Sequence, residues 1–309
     1  NYNPEFGFGK DLLGFSSPWY GRLTGPFNEE LVPGAYCSKF GLIGLAYIFT
    51  NFKDQNKQNI ITIIYISLIG VVTYISGERM AFATFLLGTT ILSLIYKNKR
   101  IVFLTSLILL ITSCVLINYS HPVYNDYKII SSNPNHLGLV VEKNIKCNQN
   151  ETKYNCKKII KLQPSFIEVL KNFKNSDYGE IYGINLQMFF DHKLQGIGLN
   201  NYKNLCEKNT LYKKNIKNCA SHPHNIYLQW LVETGVFGLV IFIIYLYYIF
   251  DYILRNNFNK FSMIALSNLV ILFWPIMSTG SLLKNWNSIG IFFIVGICLI
   301  LGRLKKNDE

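Results

Sequence analysis

His222-Pro-His-Asn-Ile-Tyr-Leu-Gln-Trp-Leu-Val-Glu-Thr-Gly-Val-Phe-Gly-Leu239 leads the chain out of a long polar stretch into the apolar run Val236–Leu254. A run of this kind is long enough to cross a bilayer as a helix. Two histidines, an asparagine and a glutamate therefore fall at or just below a membrane surface. Ionisable groups there are costly, so they sit in cavities and mark function.

Working outward, six further runs have comparable length: Gly34–Phe52, Ile60–Ser76, Met80–Tyr96, Ile101–Asn118, Phe261–Ser278 and Ser288–Leu304. Any one of them also reads as a buried core helix. Seven together, each bounded by charged or turn residues, describe an all-α integral membrane protein with about seven transmembrane helices. The composition agrees: 50% of the 309 residues are hydrophobic and 15% aromatic, with a mean hydropathy of +0.21.

Positive residues collect on the cytoplasmic side of a membrane protein. Lys53 and Lys57, then Lys97, Lys99 and Arg100, then Arg255 and Lys260, then Arg303, Lys305 and Lys306 occupy alternate connections, which share one face. The opposite, outer face receives residues 1–33, the turn Gly77–Arg79, the loop 119–223 and the connection Thr279–Asn287. The expected organisation is an outer segment 1–33, four spans in 34–118 and the large outer loop 119–223. An entry helix with three spans follows in 224–304, and 305–309 form a cytoplasmic tail. Within the loop, Pro164–Lys174 and Ile181–Asp191 have apolar residues at helical spacing and predict amphipathic helices over the bundle mouth. The polar, Gly/Pro-rich opening predicts the carboxy-terminal portion of a larger polytopic protein.

The net charge of +12 belongs largely to this topology. No basic helix with interleaved aromatics accompanies it, which argues against nucleic acid. Cys37, Cys114 and Cys298 fall in spans as small apolar residues. Cys147, Cys156, Cys206 and Cys219 fall in the outer loop, where an oxidising compartment permits two disulfides in three connectivities. Neighbour pairing, Cys147–Cys156 and Cys206–Cys219, is the expectation; four free thiols are the alternative. No tightly spaced His/Cys set suggests a metal, and no cofactor motif is present.

Only five of the 30 basic residues are arginine. Arg100, Arg255 and Arg303 belong to the cytoplasmic set. Arg22 and Arg79 lie on the outer face, where a guanidinium offers forked donors for phosphate or carboxylate. They also read singly as a loop charge and as a snorkelling residue or partner of Glu78. His224 titrates near neutrality and is suited to take a proton from an attacking hydroxyl; His222 competes for that role. Asn225 reads as the N-cap of the helix that follows. Glu233 is nine residues beyond His224, about 13.5 Å along a continuous helix, too deep for a direct pair unless the helix breaks at Gly235, and reads as structural or as supporting the site from behind.

These residues resemble the O-antigen ligase and O-antigen polymerase family of bacterial inner-membrane glycosyltransferases. The likeness rests on Arg22-Leu-Thr-Gly-Pro-Phe-Asn28, Ser76-Gly-Glu-Arg79 and Leu194-Gln-Gly-Ile-Gly-Leu-Asn-Asn-Tyr202. It continues in His224-Asn-Ile-Tyr-Leu228, Glu233-Thr-Gly-Val-Phe-Gly238 and the Pro275–Trp286 region. It implies a glycan donor on undecaprenyl pyrophosphate at the periplasmic face, and lipid A–core or a related glycan as acceptor. Arg22 and Arg79 would bind pyrophosphate and His224 would activate the acceptor hydroxyl, in a metal-independent, inverting transfer without cofactor. Glu78 departs from the small residue more usual before that arginine. Polymerase and protein O-glycosylation chemistry share the donor and stay open. A lipid-sugar transporter would instead need polar residues at mid-bilayer.

Overall fold

The computed structural model describes residues 27, 32–120, 127–130, 139–141, 157–162, 171, 173–175, 177–213, 219–255 and 258–304. The chain divides into two compact units, Asn1–Phe166 and Ile167–Glu309.

In the first unit, α1 (Pro33–Gly41), α2 (Gly44–Asn51), α3 (Gln55–Ile75), α4 (Arg79–Ile95) and α5 (Arg100–Ser120) pack as a helical bundle. Asp54 caps α3 by accepting from the amides of Asn56 and Lys57. Threonine and serine hydroxyls inside these apolar helices bond back to the preceding turn, as Thr62 does to Gln58 and Ser106 to Val102, so they carry no unmet donor. Lys99 Nζ donates to Gln55 Oε1 at 2.7 Å and also to Asn59. The basic connections before α3 and before α5 therefore share one end of this bundle. Arg100 closes the carboxyl end of α4 by donating to Ser93 O at 3.1 Å, a favourable place for a cation.

The second unit contains α6 (Asp177–Asp191), the short α7 (Tyr202–Lys208) and α8 (Thr210–Lys213), then α9 (Ile226–Arg255), α10 (Lys260–Leu272) and α11 (Asn285–Arg303). Ile184 and Met188 of α6 bury against Tyr202, Cys206, Tyr212 and Val232. Cys206 and Cys219 are joined in a disulfide beside that core. Asn259 caps α10 and donates to Leu304 O at 2.6 Å, tying the start of α10 to the end of α11.

Among the described residues, three helices are long and apolar enough to cross a membrane: Gln55–Ile75, Lys97–Ser120 and Ile226–Arg255. Their exposed faces are apolar, with Ile101 77% and Ile108 65% exposed on α5 and Ile241 66% on α9; water disfavours such a stripe and lipid does not. The other expected spans follow the sequence reading unevenly: Arg79–Ile95 and Asn285–Arg303 lie within three residues of the expected Met80–Tyr96 and Ser288–Leu304, whereas the remaining two are shortened or broken. Residues 79–95, 260–272 and 287–303 form shorter apolar helices, and Gly34–Phe52 is two short helices rather than one. Gly41 and Gly44 flank the break, where Ile69 and Tyr65 of α3 press close to the glycine backbone. The run Phe261–Ser278 stops being helical at Leu272, because the residue before Pro275 is held out of the helical region and the connection bonds elsewhere.

The large loop also departs from an all-helical expectation. Tyr127–Ile130, Lys157–Leu162 and Leu139–Val141 form an antiparallel sheet in the order β1-β3-β2, with Tyr127 opposite Ile160 and Leu139 opposite Leu162. These strands are short and rich in isoleucine and valine, which favour the pleated conformation. The helix expected over Ile181–Asp191 is present and begins earlier, at Asp177. Of Pro164–Lys174, residues 173–174 belong to a single 3-10 turn, Phe173–Asn175; residues 164–170 and 172 lie outside the described residues. So do Arg22, Cys147 and Cys156.

Candidate active site

The site grows from the start of α9. Asn225 Oδ1 accepts from the amides of Tyr227 at 3.0 Å and Leu228 at 3.1 Å, the geometry of an N-cap. Its Nδ2 donates to Pro275 O at 2.8 Å and Met277 O at 3.2 Å. Tyr227 hydroxyl donates to Phe273 O at 2.6 Å, and the Thr279 amide donates to His224 O at 2.9 Å. The non-helical connection between α10 and α11 is thus stapled around the histidine segment. From the other side, Asn185 of α6 donates to Pro223 O at 2.9 Å.

His224 is held with φ 56°, in the left-handed region. Its ring meets Tyr178 edge-on at 5.8 Å between centroids and lies 4.0 Å from the His222 ring. Among the described residues neither ring nitrogen of His224 has a hydrogen-bond partner. His222 differs. Its Nε2 lies 3.1 Å from Thr279 O, and a carbonyl only accepts, so Nε2 carries the proton. Its Nδ1 then accepts from Ser221 Oγ at 2.9 Å, and Lys284 Nζ donates to the same hydroxyl at 3.3 Å.

Burial, then the neighbouring His224, pushes His222 down to about 4, with Lys284 adding to the effect and the Thr279 carbonyl opposing it. Burial, then the Lys284 ammonium, lowers His224 below its ordinary value. Both imidazoles are therefore neutral at pH 7. His222 is committed to the framework, whereas His224 has nitrogen lone-pair chemistry to offer.

Farther along α9, Gly235 breaks the helix at φ 69°, ψ −166°, a conformation essentially confined to glycine. The loop after α6 docks on the break. Ile197 N donates to Val232 O at 2.9 Å, Gly198 N to Glu233 O at 3.0 Å, and Val236 N to Lys193 O at 2.9 Å. The contact is glycine to backbone on both sides: a Cβ on Gly235 would overlap the Leu194 carbonyl, and one on Gly196 the Glu233 backbone. Glu233 is buried and accepts from Asn200 N at 3.1 Å and Gln229 Nε2 at 3.4 Å. Gln229 also donates to Ser281 Oγ at 2.7 Å and accepts from Leu282 N at 3.0 Å. Leu199, Gln229, Trp230, Glu233, Leu282 and Leu283 line a small, partly open cleft here.

In the first unit, Ser76-Gly-Glu-Arg79 forms the turn between α3 and α4. Gly77 takes φ 74°, and Glu78 accepts from Gly34 N at 2.6 Å and Ala35 N at 3.1 Å. The carboxylate at this unusual position caps α1, and Arg79 is the first residue of α4.

A family model described as O-antigen ligase matches residues 64–243. The chain belongs to the O-antigen ligase family. The matched region contains the Arg79 turn, the Gly196–Asn200 loop, His224 and the Gly235 break, whereas Arg22 and Lys284 lie outside it. No curated protein matches the sequence.

Sequence reasoning passed over Tyr178 and Asn185, which pack on the histidine segment, and Gln229 and Lys284. Gln229 had a signal, since it precedes Glu233 by four residues and so shares its helix face. Lys284 had a weaker one, as a charge in the otherwise neutral connection Thr279–Asn287.

Proposed function

We propose that the chain transfers a glycan from undecaprenyl pyrophosphate to a hydroxyl of lipid A–core or a related acceptor, as a multi-pass protein of the bacterial inner membrane with this site at the periplasmic face. The observation that carries the reading is the state of His224: neutral, fixed by its neighbours, and with ring nitrogens uncommitted among the described residues. His224 takes the acceptor O–H proton while the acceptor oxygen attacks the anomeric carbon. The bond from that carbon to the pyrophosphate oxygen breaks, its electron pair leaves with undecaprenyl pyrophosphate, and the anomeric configuration inverts. Arg22 and Arg79 offset the charge on the leaving group. For Arg79 the amino end of α4 adds a favourable dipole for an anion. Asn225 and Glu233 act by holding the helix that carries the base, and Glu78 by holding α1.

The test is a reconstituted assay with purified undecaprenyl-pyrophosphoryl glycan and separate acceptors. Glycosylated lipid A–core is the expected product. Longer lipid-linked glycan would identify a polymerase, and modified protein an O-glycosyltransferase. No product with any acceptor would overturn the enzymatic reading in favour of transport.

A further inference from the structure

We infer that Tyr178 is the platform against which the acceptor sugar stacks while its hydroxyl meets His224. The inference rests on the glycosyl-transfer reading above and adds a contact on the acceptor side, where that reading names only the base. It begins with one stripe of α6. Tyr178, Tyr182 and Asn185 are spaced i, i+4 and i+7 and share a helix face. All three meet the histidine segment. Tyr178 meets the ring of His224 at 5.8 Å between centroids, Tyr182 the side chain of Asn225, and Asn185 the Pro223 carbonyl at 2.9 Å. The inner two are committed to the framework: Asn185 is fully buried, and Tyr182 packs edge-on against Phe173. Tyr178 remains 41% exposed.

The surroundings of His224 make this ring the acceptor's neighbour. The lone pair and N–H of an imidazole lie in its plane, so an attacking hydroxyl approaches in that plane, within about 3 Å of a nitrogen. The His222 ring, tilted by 35° with its centroid at 4.0 Å, packs too close to admit a sugar between the two imidazoles. The Tyr178 ring stands nearly perpendicular to His224, at 79°. In an inverting displacement the acceptor oxygen lies between the base and the anomeric carbon. The sugar nearest His224 is therefore the acceptor's, and the donor ring with its pyrophosphate lies beyond. The aromatic face carries the negative side of the ring quadrupole, which attracts the C–H groups of a sugar face. Because Tyr182 and Asn185 anchor the same helix, Tyr178 presents that face already ordered.

The experiment uses the full chain in nanodiscs with the acceptor that the transfer assay identifies, and measures acceptor KM, donor KM and kcat across pH. Tyr178→Ala is expected to raise acceptor KM by about 5- to 30-fold, the scale of truncating an aromatic anchor in an interface, with donor KM near wild type. Tyr178→Leu, which keeps apolar bulk without an aromatic face, should share that loss, whereas Tyr178→Phe and Tyr178→Trp should recover most of it. Wild-type acceptor KM in the Ala and Leu variants would overturn the platform while leaving the transfer reading intact. A lowered kcat with a displaced pH profile and unchanged acceptor KM would overturn it too, since the ring would then serve only to orient His224. Absence of transfer by the wild type to any acceptor would overturn both readings.

Discussion

Replacing each histidine by asparagine separates a base from a structural residue. His224 sits in the left-handed region, which asparagine adopts more readily than alanine does. Asparagine tolerates that conformation, so His224→Asn removes the imidazole and little else; no side-chain hydrogen bond among the described residues is lost. A positioned general base contributes about 10²- to 10⁴-fold, and the transfer rate should fall by that amount with the melting temperature nearly unchanged. His222→Asn behaves in the opposite sense. It breaks the bonds to Thr279 O and Ser221 Oγ, a loss of about 1–3 kcal/mol in stability, with only an indirect effect on rate. The measurements are single-turnover transfer from lipid-linked glycan and thermal unfolding of the same preparations. A His224→Asn rate within about tenfold of wild type, or a larger rate loss for His222→Asn, would refute the division of labour.

The histidines also set a pH dependence. His222 falls to about 4 in the folded chain from an ordinary 6.5, so the unfolded chain binds more protons between those values. Its contribution to stability is complete above about pH 6.5 and is lost as the pH falls towards 4; a melting temperature flat across that interval would contradict the buried neutral ring. Asn225→Ala uncaps α9 and leaves the Pro275 and Met277 carbonyls unmet, a loss of about 2–4 kcal/mol that thermal unfolding should register along with reduced transfer. Gly235→Ala forces a side chain into the Leu194 carbonyl and should destabilise by about 1–3 kcal/mol from backbone strain alone; an unchanged melting temperature would refute the docked loop. Cys206→Ser should cost about 3 kcal/mol, from the short loop the disulfide closes, and an unaltered melting temperature would show that the bridge contributes nothing.

The apolar runs of the three candidate spans were legible because their signal is the summed composition of some twenty residues. Helix ends inside apolar sequence were not. Nothing in Phe261–Ser278 announces that Phe273 and Met277 give their carbonyls to Tyr227 and Asn225, about fifty residues away in sequence. Pro275 was the local clue, and a partner for the freed backbone is visible only in three dimensions. The N-cap at Asn225 is a local signal, an asparagine before an apolar helix, and was readable. The role of Glu78 was open, because a carboxylate beside an arginine reads equally as its partner; the amides of Gly34 and Ala35 that it caps are more than forty residues distant. The Cys206–Cys219 bridge followed from proximity in sequence. The strands of the large loop were missed because three to six residues give too short a periodicity to stand out from a lysine-rich background.

Glu233 shows how the remote parts of the site act together. A carboxylate eight residues into a helix that continues as an apolar span is a poor design if the helix runs on unbroken. The Gly235 break exposes carbonyls at Val232 and Glu233, and the Gly196–Asn200 loop fills that gap with its own amides. Asn200 N then reaches the Glu233 side chain. The short helix from Ile226 to the break is consequently held at both ends, by the α10–α11 connection at Asn225 and by the docked loop at Gly235. A bond from Gln229 to Ser281 fastens its middle. Fixing the mount of the proposed base in this way lowers the entropy needed to reach a reactive alignment. His224 itself forms no side-chain hydrogen bond among the described residues, so its precision has to come from the backbone on either side, which is where these residues spend their hydrogen bonds.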